Sequence, residues 1–437
     1  MWAYEGVFYQ IYPIGFTGAP YHNDGITVNR ISKLIDWVDY LKDLGIDSIL
    51  LNPIFDSDEH GYDTRDFKKI DCRLGTNNDF KEVCKVYHEH GIKIMLDGVF
   101  NHVGRGFFAF KDVQEKKWDS IYSDWFYIHY DGNSNYDDGF WYEGWEGHYE
   151  LVKLNLQNPQ VVHYLLDCIQ YWIQEFDIDG LRLDVAYSLD RNFLKTLRQE
   201  TPKMKKDFAL MGEVLFGDYN LIVNDEMLHS CTNYECYKGI YSSFNSMNLF
   251  EIAHSLHRQY GSDPWCIYKG KHLMTFIDNH DVTRIASILT NKKHIPLAFG
   301  LLLSMPGVPC IYYGSEWAQE GEKAANNDYD LRPCFEKPLP NQLTQTIKEF
   351  IRVRHESKAL SYGDYTNIII QNHQLIFKRS IDNETIFVCI NASDQEYIAY
   401  HNELNGNGYE ILSKKEISMN GNVVLPPYSI QYIKREN

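Results

Sequence analysis

GLRLDVA, residues 180–186, alternates apolar Leu181, Leu183 and Val185 with Arg182 and Asp184. A period of two sends Arg182 and Asp184 to one face of an extended segment and the apolar side chains to the other. Working outward, short apolar runs of similar length recur at residues 7–13, 48–53, 92–100, 208–214, 231–235, 273–278 and 308–313, making eight with the first. Helical patterns lie between them, at 28–44, 79–90, 159–176, 190–200 and 344–355 among others. Eight strand–helix repeats predict an α/β fold, a (β/α)8 TIM barrel rather than an open sheet.

Two regions break the rhythm. Residues 101–156 are rich in Gly, Asp, Asn and Trp and far exceed an ordinary strand-to-helix loop, so an inserted subdomain is expected after the third strand. From residue 361 the chain changes to short alternating runs separated by Asn, Gly and Asp turns. The expected division is a barrel at 1–100 and 157–360, the insert at 101–156, and a C-terminal antiparallel β domain, a β-sandwich, at 361–437.

Composition narrows the function. Among 437 residues, 42 Lys+Arg face 60 Asp+Glu, a net charge of −18 that argues against nucleic-acid binding and anionic membranes. The longest apolar stretch, at 297–313, is interrupted by Gly and Pro, and no membrane span is expected. The start, MWAYEGVFYQIYPIGF, has no basic region or cleavage site, and the nine Cys show no CxxC spacing. Reduced thiols and a cytoplasmic location are expected. The 32 Tyr and 9 Trp suit stacking on sugar faces, the alternative being a tyrosine-rich core. Walker A, GxSxG and HExxH motifs are absent.

In such a barrel, residues at strand C-termini share one mouth. The third candidate strand ends in DGVFNH (97–102), with Asp97, Asn101 and His102; the fourth offers Arg182 and Asp184; the fifth ends in GEV with Glu213; the seventh ends in FIDNHD (276–281) with His280 and Asp281. Taken singly, a strand-end Asp is more often a helix cap, His102 a structural histidine and Arg182 an ion-pair partner. Their recurrence at one rim favours chemistry. Carboxylates that converge repel, so at least one holds a proton near neutrality, which places an acid beside a nucleophile. Two carboxyls about 5–5.5 Å apart across a glycosidic bond are the retaining arrangement.

These four segments, in this order, resemble the four sequence blocks of the α-amylase family, glycoside hydrolase family 13. GVFYQIYPIGF (6–16) is similar to the family's first strand, HGYDTRDF (60–67) to its second loop and GVPCIYYGSE (307–316) to its eighth strand. The resemblance implies a catalytic trio of Asp184 as nucleophile, Glu213 as general acid/base and Asp281 as the third carboxylate. It implies substrate-binding or supporting roles for Tyr62, Asp97, His102, Arg182 and His280, with Tyr62 stacking under the reacting sugar. The implied substrate is an α-glucan oligosaccharide or polysaccharide cut by double displacement. A transglycosylase or isomerase using the same intermediate is the alternative, and a noncatalytic scaffold would be expected to have lost carboxylates.

VKLNLQNPQV (152–161) resembles a block of neopullulanases, cyclomaltodextrinases and maltogenic amylases, which implies maltodextrins or cyclodextrins as substrates. Those relatives usually carry an additional N-terminal β domain and read GEIWH where this chain reads GEVLF (212–216). Many secreted members bind calcium through an Asn, an acid and a His. Here Asn101 is present, but Lys153 stands at the acidic position and Tyr187 and Ser188 where Lys-His is common. An ammonium opposes a hard cation, so no metal and no other cofactor is expected. Trp118, Trp125, Trp141 and Trp145 in the insert are candidates for shaping the mouth, at least two of them by packing alone.

Overall fold

The computed structural model describes residues 1–325 and 327–435. Its centre is a sheet of eight strands: β1 (Phe8–Ile11), β2 (Ser48–Leu51), β3 (Lys93–Gly98), β4 (Gly180–Leu183), β5 (Ala209–Gly212), β6 (Ser230–Cys231), β7 (Met274–Thr275) and β8 (Val308–Tyr312). Neighbours pair in parallel in the order β6-β5-β4-β3-β2-β1-β8-β7. A bridge between Thr232 and Met274, with the Asn233 N–H donating to the Met274 carbonyl at 2.8 Å, brings β6 against β7 and nearly closes the barrel.

Period two decides what fills it. Phe8, Leu50, Met95, Met211, Met274 and Cys310 form one apolar cluster inside the cylinder, while the alternate positions Tyr9, Ile11, Ile49, Leu51, Ile94 and Leu96 join the larger core beneath the helices. Two residues further along, the inward positions are Gln10, Asn52, Asp97 and Glu213, and on β4 Arg182 follows Gly180. The interior is therefore apolar at the strand starts and polar at their C-terminal ends. Gly180 is required by close packing, since a Cβ there would stand 2.7 Å from the Ala209 carbonyl oxygen.

Asn158, with Pro159 behind it, caps the helix Pro159–Phe176, and Asp190 caps Arg191–Met204. The helix expected at 28–44 is a 3-10 segment, Ile31–Trp37, followed by the α-helix Val38–Leu44. The sixth expected strand, 231–235, stops early, because Asn233 accepts the Cys236 N–H at 3.1 Å and starts the helix Tyr234–Ser246. The seventh, 273–278, is ladder-paired only at Met274–Thr275. Beyond it, Asp278 is buried and takes the Ser315 hydroxyl on both oxygens, at 2.9 and 2.8 Å.

The apolar run 297–313 supplies most of the helix Ile295–Ser304, buried at every position but Pro296, and then β8. Gly300 lets this helix approach the strand Ser429–Arg435: a Cβ would lie 2.6 Å from Ile430 Cδ1, and the Tyr432 hydroxyl donates to the Gly300 carbonyl at 2.8 Å. Among the described residues no helix is long and apolar enough to cross a membrane. After β8, buried Glu316 accepts the Tyr9 and Tyr40 hydroxyls at 2.6 and 2.9 Å, fastening the β8–β1 seam, and burial lifts its carboxyl to about 7.

Within the stretch expected as an insert, His102–Gly104, Gly144–Trp145 and His148–Lys153 form a three-stranded sheet that starts directly from the mouth of β3. Past residue 361, six antiparallel strands form one continuous sheet rather than two separately bonded ones, with Asp364–Ile370 and Lys415–Leu425 at its edges. Ile369 from one edge and Leu425 from the other share a cluster with Phe387 and Ile433, so the sheet folds over onto itself. Residues 436 and 437 of the expected C-terminal domain lie outside the described residues. None of the nine cysteines is in a disulfide.

Candidate active site

Register explains the floor of the mouth. On β3 and β4, Asp97 pairs with Arg182, so the two inward side chains meet. Arg182 Nη1 lies 2.7 Å from both Asp97 oxygens and 2.9 Å from Asp184 Oδ1, and its Nη2 lies 2.8 Å from Glu213 Oε1. One buried guanidinium thus holds three carboxylates from three adjacent strands. Burial works against the Arg182 cation, but Asp97 and Glu213, with Tyr62 and Asp184, keep it firmly protonated. Burial first, then Glu213 and Asp97, push the Asp184 carboxyl well above the usual range, with Arg182 pulling the other way.

Directly after Asp184 the backbone turns sharply. Val185 has φ 47° and ψ 42°, a left-handed conformation that a β-branched residue adopts only at a cost of roughly 1–2 kcal/mol. The turn aims the Val185 N–H at Glu213 Oε2, 3.1 Å away. Backbone strain is thereby converted into a fixed relation between the two carboxyl-bearing strand ends.

On the opposite wall, Asp281 lies 2.9 Å from His280 Nε2 and 3.0 Å from Arg332 Nη2. Burial opposes its charge, yet His280 and Arg332 hold the carboxyl well below the usual range. A third of its side chain stays exposed to the mouth. The Tyr62 hydroxyl donates to Asp97 Oδ2 at 3.1 Å and meets His280 Nε2 at 2.5 Å, with the two rings stacked at 5.8 Å. His102 is neutral, burial having pushed its pKa down to about 3. Asn101 Nδ2 lies 3.2 Å from His102 Nδ1, while Nε2 meets no hydrogen-bond partner among the described residues and lies 3.9 Å from Asp184 Oδ2. With Asn101 donating to Nδ1, the ring proton sits on Nε2, an unused donor beside Asp184.

These groups open on a cavity of about 960 Å³. Asp184, Glu213, Asp281, Tyr62 and His102 line it. Asp97, Arg182 and His280, grouped with them in the sequence as substrate-binding, are buried behind that lining, with 2%, 3% and 1% of their surface exposed. They hold the lining groups in place. Of the four tryptophans, Trp145 lines the cavity and lies 5.8 Å from the His102 ring. Trp125 is buried and donates to Gln160, Trp141 donates to the Tyr149 hydroxyl, and Trp118 is exposed.

Three participants were missed in the sequence. Gln10 and Asn52 continue the polar layer: Gln10 Nε2 donates to Asn52 Oδ1 at 3.0 Å and lies 3.0 Å from His280 Nδ1, and Asn52 Nδ2 reaches Asp97 Oδ2 at 3.2 Å. Their inward phase, two residues beyond Phe8 and Leu50, was the available signal. Arg332 had none. It comes from an irregular segment, stacks over Tyr12 at 4.4 Å, and donates from Nε to the His280 carbonyl at 3.2 Å.

The residues at the family's calcium position do not fit a hard cation. Lys153 Nζ is 2.5 Å from Glu143 Oε1, Asn101 turns its amide to His102, and the Tyr187 hydroxyl donates to Glu146. Asp56, Asp71 and Cys72 cluster elsewhere, but Arg65 and Arg73 already pair with the two carboxylates, at 3.0 and 2.7 Å. Prolonged treatment with a chelator is therefore expected to leave turnover and thermal midpoint unchanged. A loss of activity reversed by calcium would contradict this.

Comparison with known proteins agrees with this geometry. The chain is 32% identical over 463 residues to a cyclomaltodextrinase of Thermoanaerobacter pseudethanolicus, covering 99% of this chain and 78% of that protein. It is 31% identical over 420 residues to an intracellular maltogenic amylase of Bacillus subtilis, covering 90% and 69%. Its fold superposes on the cyclic α-maltosyl-(1→6)-maltose hydrolase of Arthrobacter globiformis with a TM-score of 0.84, 25% identity and full coverage of both chains. Residues 10–342, more than half of the chain, match the α-amylase catalytic-domain family. A carboxylate-lined mouth on a nearly closed eight-stranded barrel and this kinship lead to one conclusion: the chain belongs to the α-amylase family and is a glycoside hydrolase.

Proposed function

We propose that the protein cleaves α-1,4-glucosidic bonds of maltodextrins, starch or cyclodextrins with retention of configuration. The observation that carries this reading is the single Arg182 guanidinium in contact with both Asp184 and Glu213, which places the two carboxyls on one wall of one cavity. The two carboxyls share that one cation. In the general-acid role Glu213 turns from Arg182 to the glycosidic oxygen carrying a proton, while Arg182 Nη1 remains on Asp184 and favours its carboxylate.

Asp184 Oδ then forms a bond to the anomeric carbon as the bond to the leaving oxygen breaks, and Glu213 gives its proton to that oxygen. In the second half, water attacks the same carbon, the Asp184 ester bond breaks, and Glu213 takes the water proton. Asp281, fixed by His280 and Arg332, accepts from sugar hydroxyls, and His102 Nε2 donates to another. Trp145 supplies an aromatic wall. The name of the Bacillus subtilis relative and the unpaired thiols support a place inside the cell.

Proton NMR of the first product from maltotriose tests the mechanism: the α-anomer is expected, and initial release of the β-anomer would overturn it. The same reaction run on cyclodextrin, pullulan and starch at low and high concentration ranks the substrates. Products longer than the substrate would identify the transglycosylase alternative.

A further inference from the structure

A second cavity lies at the opposite end of the barrel from Asp184. Its walls come from segments that enter strands rather than leave them: Tyr4 ahead of β1, His229 directly before β6, and Lys269, Lys271 and His272 ahead of β7. Arg198 reaches it from the helix Arg191–Met204, which follows β4 and runs back toward that end. The space is about 220 Å³, several times the ~30 Å³ share of one liquid water.

Its chemistry is at odds with the rest of the chain. In a protein of net charge −18, this lining brings together Arg198, Lys269 and Lys271 against one carboxylate, Asp225. Lys271 Nζ donates to the Val223 carbonyl at 2.6 Å. Arg198 has no such outlet: its Nη1 is buried and meets no acceptor among the described residues. A buried donor of this kind is disfavoured unless an acceptor arrives. His229 adds another donor. Its Nδ1 accepts the Leu210 N–H at 3.0 Å, and burial, with Arg198 next, holds the ring neutral, its pKa down to about 3, so the remaining proton is on Nε2.

The Arg198 guanidinium, two ammonium groups and an imidazole N–H around a small polar space match an anion with several oxygens. We propose that this cavity binds a phosphate group, free or as the monoester of a small sugar. Arg198 and His229 supply directed hydrogen bonds, and Lys269 and Lys271 supply charge. The site is separated by the barrel interior from the carboxylates of the mouth and does not depend on the reaction proposed there.

Calorimetric titration of the full-length protein with inorganic phosphate, and separately with glucose 1-phosphate, at constant ionic strength tests it. Saturable one-to-one binding is expected, weakened at least tenfold in Arg198→Gln or in Lys269→Gln and unchanged in Glu213→Gln. Lys269 is exposed, so its replacement keeps the test valid if the Arg198 variant does not fold. Tighter binding of glucose 1-phosphate would identify the ester as the ligand, and equal affinities the free anion. Absence of saturable heat, or affinities that both variants leave intact, would overturn the proposal. Glycosidase activity is not the readout, so failure here and failure of the catalytic assignment are distinguishable.

Discussion

Replacement of Asp184 by Asn is expected to lower kcat on maltodextrins by on the order of 10⁴-fold, because the amide cannot form the glycosyl ester. The thermal midpoint is not expected to fall. Burial already disfavours the Asp184 carboxylate, and an amide oxygen at the same place still accepts from Arg182, which keeps Asp97 and Glu213. Glu213→Gln should be equally slow on maltodextrins yet behave differently with an activated aryl α-maltoside, whose leaving group needs no proton. There the Glu213 variant is expected to release aryl alcohol in a burst and accumulate a covalent adduct visible by intact mass, while the Asp184 variant shows neither. An Asp184→Asn enzyme within tenfold of wild type would remove the nucleophile assignment.

Arg182→Gln is expected to give the largest loss of stability. Asp97, Asp184 and Glu213 would surround a neutral amide, and breaking a buried ion pair from one side costs about 3–5 kcal/mol. The sign with pH follows from proton linkage. Without the cation, nothing offsets the burial and the neighbouring Glu213 and Asp97 that already push the Asp184 carboxyl above its unfolded value of roughly 4, so the folded variant binds more protons than the unfolded chain. Its stability is recovered toward acid and lost as pH rises. Urea unfolding of both proteins between pH 4 and 8 should therefore show a gap that is widest near neutrality and narrows toward pH 4. A constant gap would mean that Arg182 acts through packing rather than charge.

The part of this site legible in the sequence was the part written in strand phase. GLRLDVA placed Arg182 and Asp184 on one face, and the structure puts both on the same guanidinium–carboxylate contact. The same phase, applied to FYQI and to the residue after SILL, would have exposed Gln10 and Asn52, but amides carry no charge pattern to draw attention to them. Val185 in a left-handed turn and Arg332 in an irregular segment lay beyond this reading, since both conformations are imposed by tertiary context. Seven of the eight barrel strands fell within the expected windows, and the sixth, Ser230–Cys231, began one residue ahead of its own. The ends of the sixth and seventh moved because local capping at Asn233 and the buried Asp278 outcompeted ladder pairing.

The β8–β1 seam carries a consequence for how the chain reaches its native state. Phe8, Tyr9 and Gln10 pair with Cys310, Ile311 and Tyr312, and Tyr9 also needs Glu316 to accept its hydroxyl. During synthesis, the first segment emerges with its apolar side chains and can bond on one edge to Ser48–Leu51, while its other edge waits for some three hundred further residues. Ring closure is thus a late event that depends on contacts of the longest separation in the barrel. Until then that edge of β1 is open to pairing with another chain.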